Sequence, residues 1–397
     1  MSEKIFDTLH FPDRRGTNCV KWDALTATYG QDNLLPLWVA DMDFYAAPCV
    51  REAMRTAVDA GVFGYFAPPA SYLDAFLDWE RTRHGVSADR SWIRFTPGVV
   101  TGIFWTISAL TEPGDGIAIL TPCYYPFMNA VRETGRRMVI SELVHTENGY
   151  TVDLADFEEK ARTEQIRMLL LCSPHNPVGH VWSEQELRGM LDICKRYDIL
   201  VVSDEIHQDV VFNGHRHLSC LRFEDILDRL ILLTAASKAF NLAGLQNSFA
   251  LIPNADLRKR FDAYVKTTGM RQGSSLGYIA AEAAYRGGAQ WLDEVLDYLQ
   301  GNYDLLKQRL TAAFPRIRID PLEGTYMIWV DLAGCVAPDR LVEVVQNKAR
   351  LAVDFGSWFW PADQVPEDDA HIRINIATPR ANVELACERL IEAIKSE

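Results

Sequence analysis

The sequence predicts an α/β fold: a large domain with a mostly parallel sheet covered by helices, plus a smaller α+β domain. Three observations carry this. Continuous apolar runs of strand length recur between residues 116 and 252, and amphipathic stretches of helical period fall between them. The tail from Thr325 then changes character, to short strands separated by helical patterns. Apolar runs that do not alternate with polar residues mark strands buried on both faces, which is how a helix-covered parallel sheet reads.

The elements follow in order. Gly98 to Thr111 ("GVVTGIFWTISALT") is a helix, apolar on nearly every side and therefore buried. "GIAIL" (116–120), "MVISEL" (138–143), "IRMLLLC" (166–172), "ILVVS" (199–203), "LILLTA" (230–235) and "NSFALI" (247–252) are strands. Ser183–Tyr197 is an amphipathic helix between two of them, and helical patterns run from Ser274 through Phe314. "TYMIWV", a helix near Pro338–Lys348, "RLAVDF", "HIRINIA" and a final helix form the tail. The domains expected are an N-terminal segment, 1–50, that joins the small domain, a large domain over 51–290, and a small α+β domain over 291–397.

Composition narrows the function. With 397 residues, 48% hydrophobic and 24% charged, the chain has the profile of an ordinary globular protein of two or three domains. A net charge of −14 disfavours nucleic acid and anionic membranes, which need clustered Lys and Arg. No run reaches the ~18 apolar residues of a membrane span, and "MSEKIFDTLHFPDRRG" lacks the apolar stretch of a signal peptide. Eight cysteines are spread singly, with no CxxC and no zinc spacing, so reduced thiols and a cytoplasmic location are expected.

Sites in such a sheet lie at the carboxyl ends of strands. Three unusual residues stand there: Asn176 after "LLLC", Asp204 after "VVS" and Lys238 after "LLTA". A carboxylate or an amine at such a place is expensive unless it meets a partner. Either one alone is more often a structural ion pair; together they give one site a fixed anion and an amine. Pyridoxal phosphate needs this pair, a carboxylate to keep its ring nitrogen protonated and a lysine to hold it covalently. "SPHNPVG" reads as a tight turn and is compatible with the Asn176 amide facing the cofactor. "TPGVVTG" (96–102) is a Gly followed by a helix start, whose free N–H groups can hold a phosphate. "TPCYYPF" offers Tyr124 or Tyr125 to stack on a ring, although core packing is the default for both. Arg373, inside the apolar strand "HIRINIA", calls for a bidentate carboxylate, from a substrate or from a structural Asp or Glu. "NGHRH" (213–217) reads as a turn with exposed histidines rather than a metal site. No GxGxxG, GxxxxGK[ST], HExxH or GxSxG occurs, so the dinucleotide, P-loop, zincin and α/β-hydrolase readings lack their motifs.

"SPHNPVG", "SDEIHQD" and "SKAFNLAGLQ", in that order, resemble the class I/II aminotransferase family of fold-type I pyridoxal-phosphate enzymes. "LPLWVADMDF", "GVFGYF", "DEIH", "SKAFNLAGLQNS" and "FGSWF" are similar to its cystathionine β-lyase branch, the carbon–sulfur lyases related to a maltose-regulon modulator. The resemblance runs from about Trp38 to Arg380. It implies a seven-stranded, mostly parallel sheet in the large domain and a homodimer with shared active sites. Lys238 would carry pyridoxal 5'-phosphate covalently and move the Cα proton, and Asp204 would pair with the ring nitrogen. Asn176 and His207 would surround the phenolic oxygen, and Tyr124 would stack on the ring. The Val99 and Val100 N–H groups and Ser237 would hold the phosphate. Tyr65, placed with the catalytic set, would reach the phosphate of the neighbouring subunit. Arg373 would clamp the substrate carboxylate, with Ala40, Asp41 and Trp358 on the same substrate side. Two positions depart from many aminotransferases: three residues before the lysine stands Ala235 rather than Ser or Thr, and eight after it Gln246 rather than Arg.

Three functions compete on this basis. A β-elimination enzyme would cleave cystathionine or a related cysteine S-conjugate to a thiol, pyruvate and ammonia. An aminotransferase would use the same Lys238, Asp204 and Asn176. A regulatory protein acting through a surface would not need them intact. The branch motifs favour elimination.

Overall fold

The computed structural model describes residues 11–270 and 272–397. Residues 1–10, the start of the segment expected to join the small domain, lie outside the described residues. In chain order the strands begin with β1 (Leu35–Pro36), β2 (Ile93–Thr96), β3 (Gly116–Thr121), β4 (Arg137–Thr146), β5 (Gly149–Val152) and β6 (Ile166–Cys172). They continue with β7 (Leu200–Asp204), β8 (Leu230–Thr234), β9 (Ser248–Leu251) and β10 (Arg318–Ile319), then β11 (Met327–Asp331), β12 (Leu351–Ala352), β13 (Asp354–Phe355) and β14 (His371–Asn375).

Contacts divide the chain into two compact units. One comprises Ala46–Asn176 and His180–Leu292. Its sheet has eight strands in the order β2-β9-β8-β7-β6-β3-β4-β5. The run β8, β7, β6, β3, β4 is parallel throughout, and β9 and β5 are antiparallel to their neighbours. β3 and β8 are buried along their whole length, as their unbroken apolar sequences require. The count exceeds the expected seven. Gly149–Val152 folds back on the end of β4 across a turn at 147–148, and β2 adds an edge. Both are too short and too polar to stand out as apolar runs. The helix Val99–Leu110 starts directly after β2 and Pro97-Gly98. The helix Glu184–Arg196 opens with a capping box: the Glu186 N–H donates to Ser183 Oγ, and the Ser183 N–H donates to the Glu186 carboxylate.

The second unit contains the described chain up to Tyr45, Pro177–Gly179 and Asp293–Glu397. Its antiparallel sheet has the order β10-β11-β14-β13, and β1 pairs in parallel with β12, Leu35 opposite Leu351. The N-terminal part is fixed by buried charges. Lys21 Nζ meets Asp43 Oδ2 at 2.7 Å, and Arg14 bridges Asp41 at 2.6 Å and Asp43 at 2.9 Å. The final helix is Arg380–Lys395.

Candidate active site

Sheet order decides what the first unit can assemble. Because β8, β7 and β6 are adjacent and parallel, their carboxyl ends bring Lys238, Asp204 and Asn176 to one edge. β3 delivers Tyr124 to the same edge, three residues beyond its end. β2 is antiparallel to β9 and β9 to β8, so β2 also ends there, and the amino end of the helix Val99–Leu110 follows. The result is a cavity of about 290 Å³. Val99, Val100, Tyr124, Asp204, Ser237 and Lys238 all line it. Asn176 and His207 are buried beside the same strand ends.

Asp204 is the last residue of β7, which ends one residue later than the sequence suggested, with Cys172 and Leu233 as its lateral partners. Its Oδ1 accepts the Ile206 N–H at 3.1 Å. Burial pushes its carboxyl up to about 7, against the Ile206 hydrogen bond and the nearby Lys238 amine, which both draw it down. Burial outweighs both, so a further cation would draw the carboxyl back down, and the protonated ring nitrogen of pyridoxal phosphate is a cation of the right kind. The helix beginning at Val99 has no side-chain cap, so its first N–H groups are available to an anion. The residues fit the cofactor. Lys238 and Asp204 would hold its two ends of charge, and the helix start and Ser237 its phosphate.

The segment after Asp204 carries buried polar pairs that the sequence did not disclose. Glu205 is fully buried, accepts Ser203 Oγ–H at 2.9 Å and the Cys220 N–H at 2.8 Å, and meets His217 Nε2 at 2.8 Å. Burial pushes Glu205 up, but His217 and the N–H and O–H donors outweigh it and hold the carboxyl below its ordinary range. Asp209 likewise accepts from Trp79 Nε1 at 3.0 Å and meets His84 Nε2 at 2.8 Å. This corrects the reading of "NGHRH": His215 is exposed, but His217 is buried against Glu205. His175 is buried, hydrogen-bonded to the Pro122 carbonyl at 2.9 Å, and pushed down to about 4 by that burial. It supports the turn before Tyr124 as a neutral ring.

Tyr65 is fully exposed and is not among the residues lining the cavity. The remaining candidates belong to the second unit. Arg373 is buried, and its guanidinium is paired with Asp354, its register partner across β13 and β14. It also donates to the Trp38 carbonyl at 3.3 Å and lies 4.8 Å from the centre of the Phe359 ring. The carboxylate that an apolar-strand arginine requires is thus present in the fold. Ala40 accepts the Tyr326 hydroxyl at 3.0 Å through its carbonyl, and Asp41 is bound by Arg14. Trp358 packs on Tyr29 and Phe355, with ring centres 6.0 and 5.9 Å away. Three cavity residues had no sequence expectation, Ile206, Ala243 and Asn247. Asn247 precedes β9, which enters the site edge by its amino end.

The comparisons agree with this geometry. The model of the aminotransferase class I and II family matches residues 33–390. Cystathionine beta-lyase PatB of Bacillus subtilis (strain 168) is 33% identical over 96% of this chain and 98% of its own length. Protein MalY of Escherichia coli (strain K12) is 32% identical over 99% of this chain and 100% of its own. The crystal structure of cystalysin from Treponema denticola, which contains pyridoxal 5'-phosphate, superposes with a TM-score of 0.93 at 33% identity, covering 98% of this chain and 99% of that one. With these matches over nearly its whole length, and with Lys238, Asp204 and a helix start around one cavity, the chain belongs to the class I and II aminotransferase family of fold-type I pyridoxal-phosphate enzymes, in the branch of cystathionine β-lyase and MalY.

Proposed function

We propose that this protein is a carbon–sulfur β-lyase that cleaves cystathionine or a related cysteine S-conjugate. The observation that carries the reading is one cavity lined by Lys238, by Asp204, whose carboxyl feels the lysine charge, and by a helix start. The names of its full-length relatives point that chemistry toward sulfur elimination. Pyridoxal phosphate supplies an acceptor for the electron pair left at Cα when a proton is removed there. The protein's own groups do the rest. Lys238 takes the Cα proton, and Asp204 keeps the opposite end of the site anionic. The Cβ–S bond breaks with its electrons on sulfur, which leaves as the thiol after protonation. The three-carbon fragment, 2-aminoacrylate, takes up water and gives pyruvate and ammonia.

In this reading Arg373, although paired with Asp354, also serves the substrate carboxylate, and Ala40, Asp41 and Trp358 are assigned to the substrate. Asn176, His207 and Tyr124 surround the ring. The enzyme acts as a cytoplasmic homodimer. Support for a subunit contact comes from an exposed apolar loop: Val62, Phe63 and Tyr65 all stand in solvent on the single chain. No helix among the described residues is long and apolar enough to cross a membrane. The test is incubation of the purified protein with cystathionine and an assay for pyruvate. Pyruvate formed without any 2-oxo acid supports the lyase. Turnover wholly dependent on a 2-oxo acid replaces it with an aminotransferase.

A further inference from the structure

The ion pairs of Glu205 and Asp209 leave one buried acid of the same cluster without a base. Glu80 opens a single π turn, Glu80–His84, that continues the helix Ala70–Trp79. It is 1% exposed. The two bases of that turn both go to Asp209, Arg83 at 3.6 Å and His84 at 2.8 Å. His217 goes to Glu205 at 2.8 Å. Glu80 has one hydrogen-bond partner among the described residues, the Gln208 amide, whose Nε2–H donates to Glu80 Oε1 at 2.6 Å. The other end of that amide is the anomaly. Gln208 is 1% exposed, and its Oε1 is buried with no donor among the described residues. An ionised Glu80 cannot supply one, because a carboxylate only accepts. It would also be a buried charge without a counter-ion.

A carboxylic acid removes both defects. Its carbonyl oxygen accepts Nε2–H and its O–H donates to Oε1, so that acid and amide close a ring of two hydrogen bonds. We propose that Glu80 is a carboxylic acid in the working enzyme, and that its ring with Gln208 is a proton-operated latch on the turn after Asp204. That turn is closely tied. Asp204 Oδ1 accepts the Ile206 N–H at 3.1 Å, the Gln208 N–H donates to the Glu205 carbonyl at 3.0 Å, and the Val210 N–H to the His207 carbonyl at 2.8 Å. A hold on Gln208 is therefore passed to His207 beside it and to Asp204 at the head of the turn. Glu80 acts through these groups and is a positioning residue. The groups that set its charge come from each element around it. Arg83 and His84 belong to its own turn, Glu205 and Asp209 to the segment after β7, His217 to the chain beyond, and Tyr285 to the helix Ser275–Gly287. Burial pushes the Glu80 carboxyl up to about 7; the His84 charge and the Gln208 hydrogen bond draw it down, and Asp209 and Glu205 push it up. Below that pH the latch is closed. Above it the O–H is lost and the latch opens. The link to the reaction rests on the assignment of Asp204 and His207 to the cofactor.

Infrared difference spectra between pH 6 and pH 8 read the proton directly. The holoenzyme should show the carbonyl band of a protonated carboxyl at pH 6, fading by pH 8. Glu80→Gln should lack that band, and Gln208→Met should move it to higher frequency by taking away its hydrogen-bond partner. The latch is read from the rate of pyridoxal phosphate release, as the ratio of variant to wild type at each pH, so that ionisations common to both cancel. Glu80→Gln is neutral at every pH. It should match the wild type at pH 6 and release the cofactor about two- to tenfold more slowly at pH 8, the size of one net hydrogen bond. Gln208→Met should release it faster than the wild type at pH 6 by a similar factor. No acid band in the wild type, or a band that survives Glu80→Gln, overturns the protonated Glu80. A release ratio for Glu80→Gln that is the same at both pH values overturns the latch. Should the wild type bind no pyridoxal phosphate, the cofactor assignment falls, while the loss of the band in Glu80→Gln still decides the state of Glu80.

Discussion

Asp204 should change sign as a stability determinant when the cofactor leaves. In the cofactor-free protein its carboxyl is pushed up to about 7 from an ordinary value of 3.8, chiefly by burial. Between those two pH values the folded chain holds a proton that the unfolded chain has released. Stability therefore falls as pH rises through that window, and the loss is complete above about pH 7. At ~1.36 kcal/mol per pH unit the ceiling is about 4 kcal/mol, with relaxation and water entry taking it lower. Asp204→Asn keeps the shape and removes the charge. The cofactor-free variant should be more stable than the wild type at pH 8 by roughly 1–4 kcal/mol, with the gap closing toward pH 5. With pyridoxal phosphate bound the order should reverse, because the ring nitrogen then needs the anion, and turnover should drop by the equivalent of about 3 kcal/mol or more. Urea unfolding of both forms at pH 5, 6.5 and 8 reads the first effect, and pyruvate release reads the second. If the cofactor-free variant gains nothing at pH 8, or its gain is the same at pH 5, the carboxylate is not the strained group described here.

Borohydride reduction of the yellow holoenzyme should fix the cofactor to Lys238; peptide mapping that finds the label on a different lysine rejects the site. Mixed dimers of Lys238→Ala and Tyr65→Ala chains should recover up to about a quarter of wild-type activity, since only the hybrid has one site free of both changes. No recovery in hybrids shown to have formed returns Tyr65 to its own subunit. His217→Ala should cost the holoenzyme about 3–5 kcal/mol in urea unfolding by stranding the buried Glu205, and a loss under 1 kcal/mol would show that the pair is expendable.

The strands that carry Lys238 and Asp204 were legible because a buried parallel strand needs an unbroken apolar run, and a charge at its end then stands out. The same logic hid Asn247. Carboxyl ends were the places to look, but β9 runs against its neighbours and presents its amino end to the site. Strand direction is not written in the apolar pattern. For Arg373 the need for a carboxylate was legible, and which residue supplies it was not, because pairing with Asp354 depends on a register between β13 and β14 that no local signal sets. His217 looked exposed from its turn-like neighbours and is buried because Glu205, a dozen residues earlier, requires a counter-charge.

The second unit is built from the two ends of the chain, and this has a consequence for synthesis. Leu35 pairs with Leu351, so β1 leaves the ribosome long before its partner exists. At about 5–20 residues per second, the intervening stretch keeps that segment waiting for roughly 15–60 seconds. The cavity, by contrast, is lined entirely by residues between Pro97 and Asn247. A chain stalled after Leu292 would already hold every residue of the first unit. Cofactor capture on such a nascent chain, before β12 is made, would place loading ahead of the completion of the fold rather than after it.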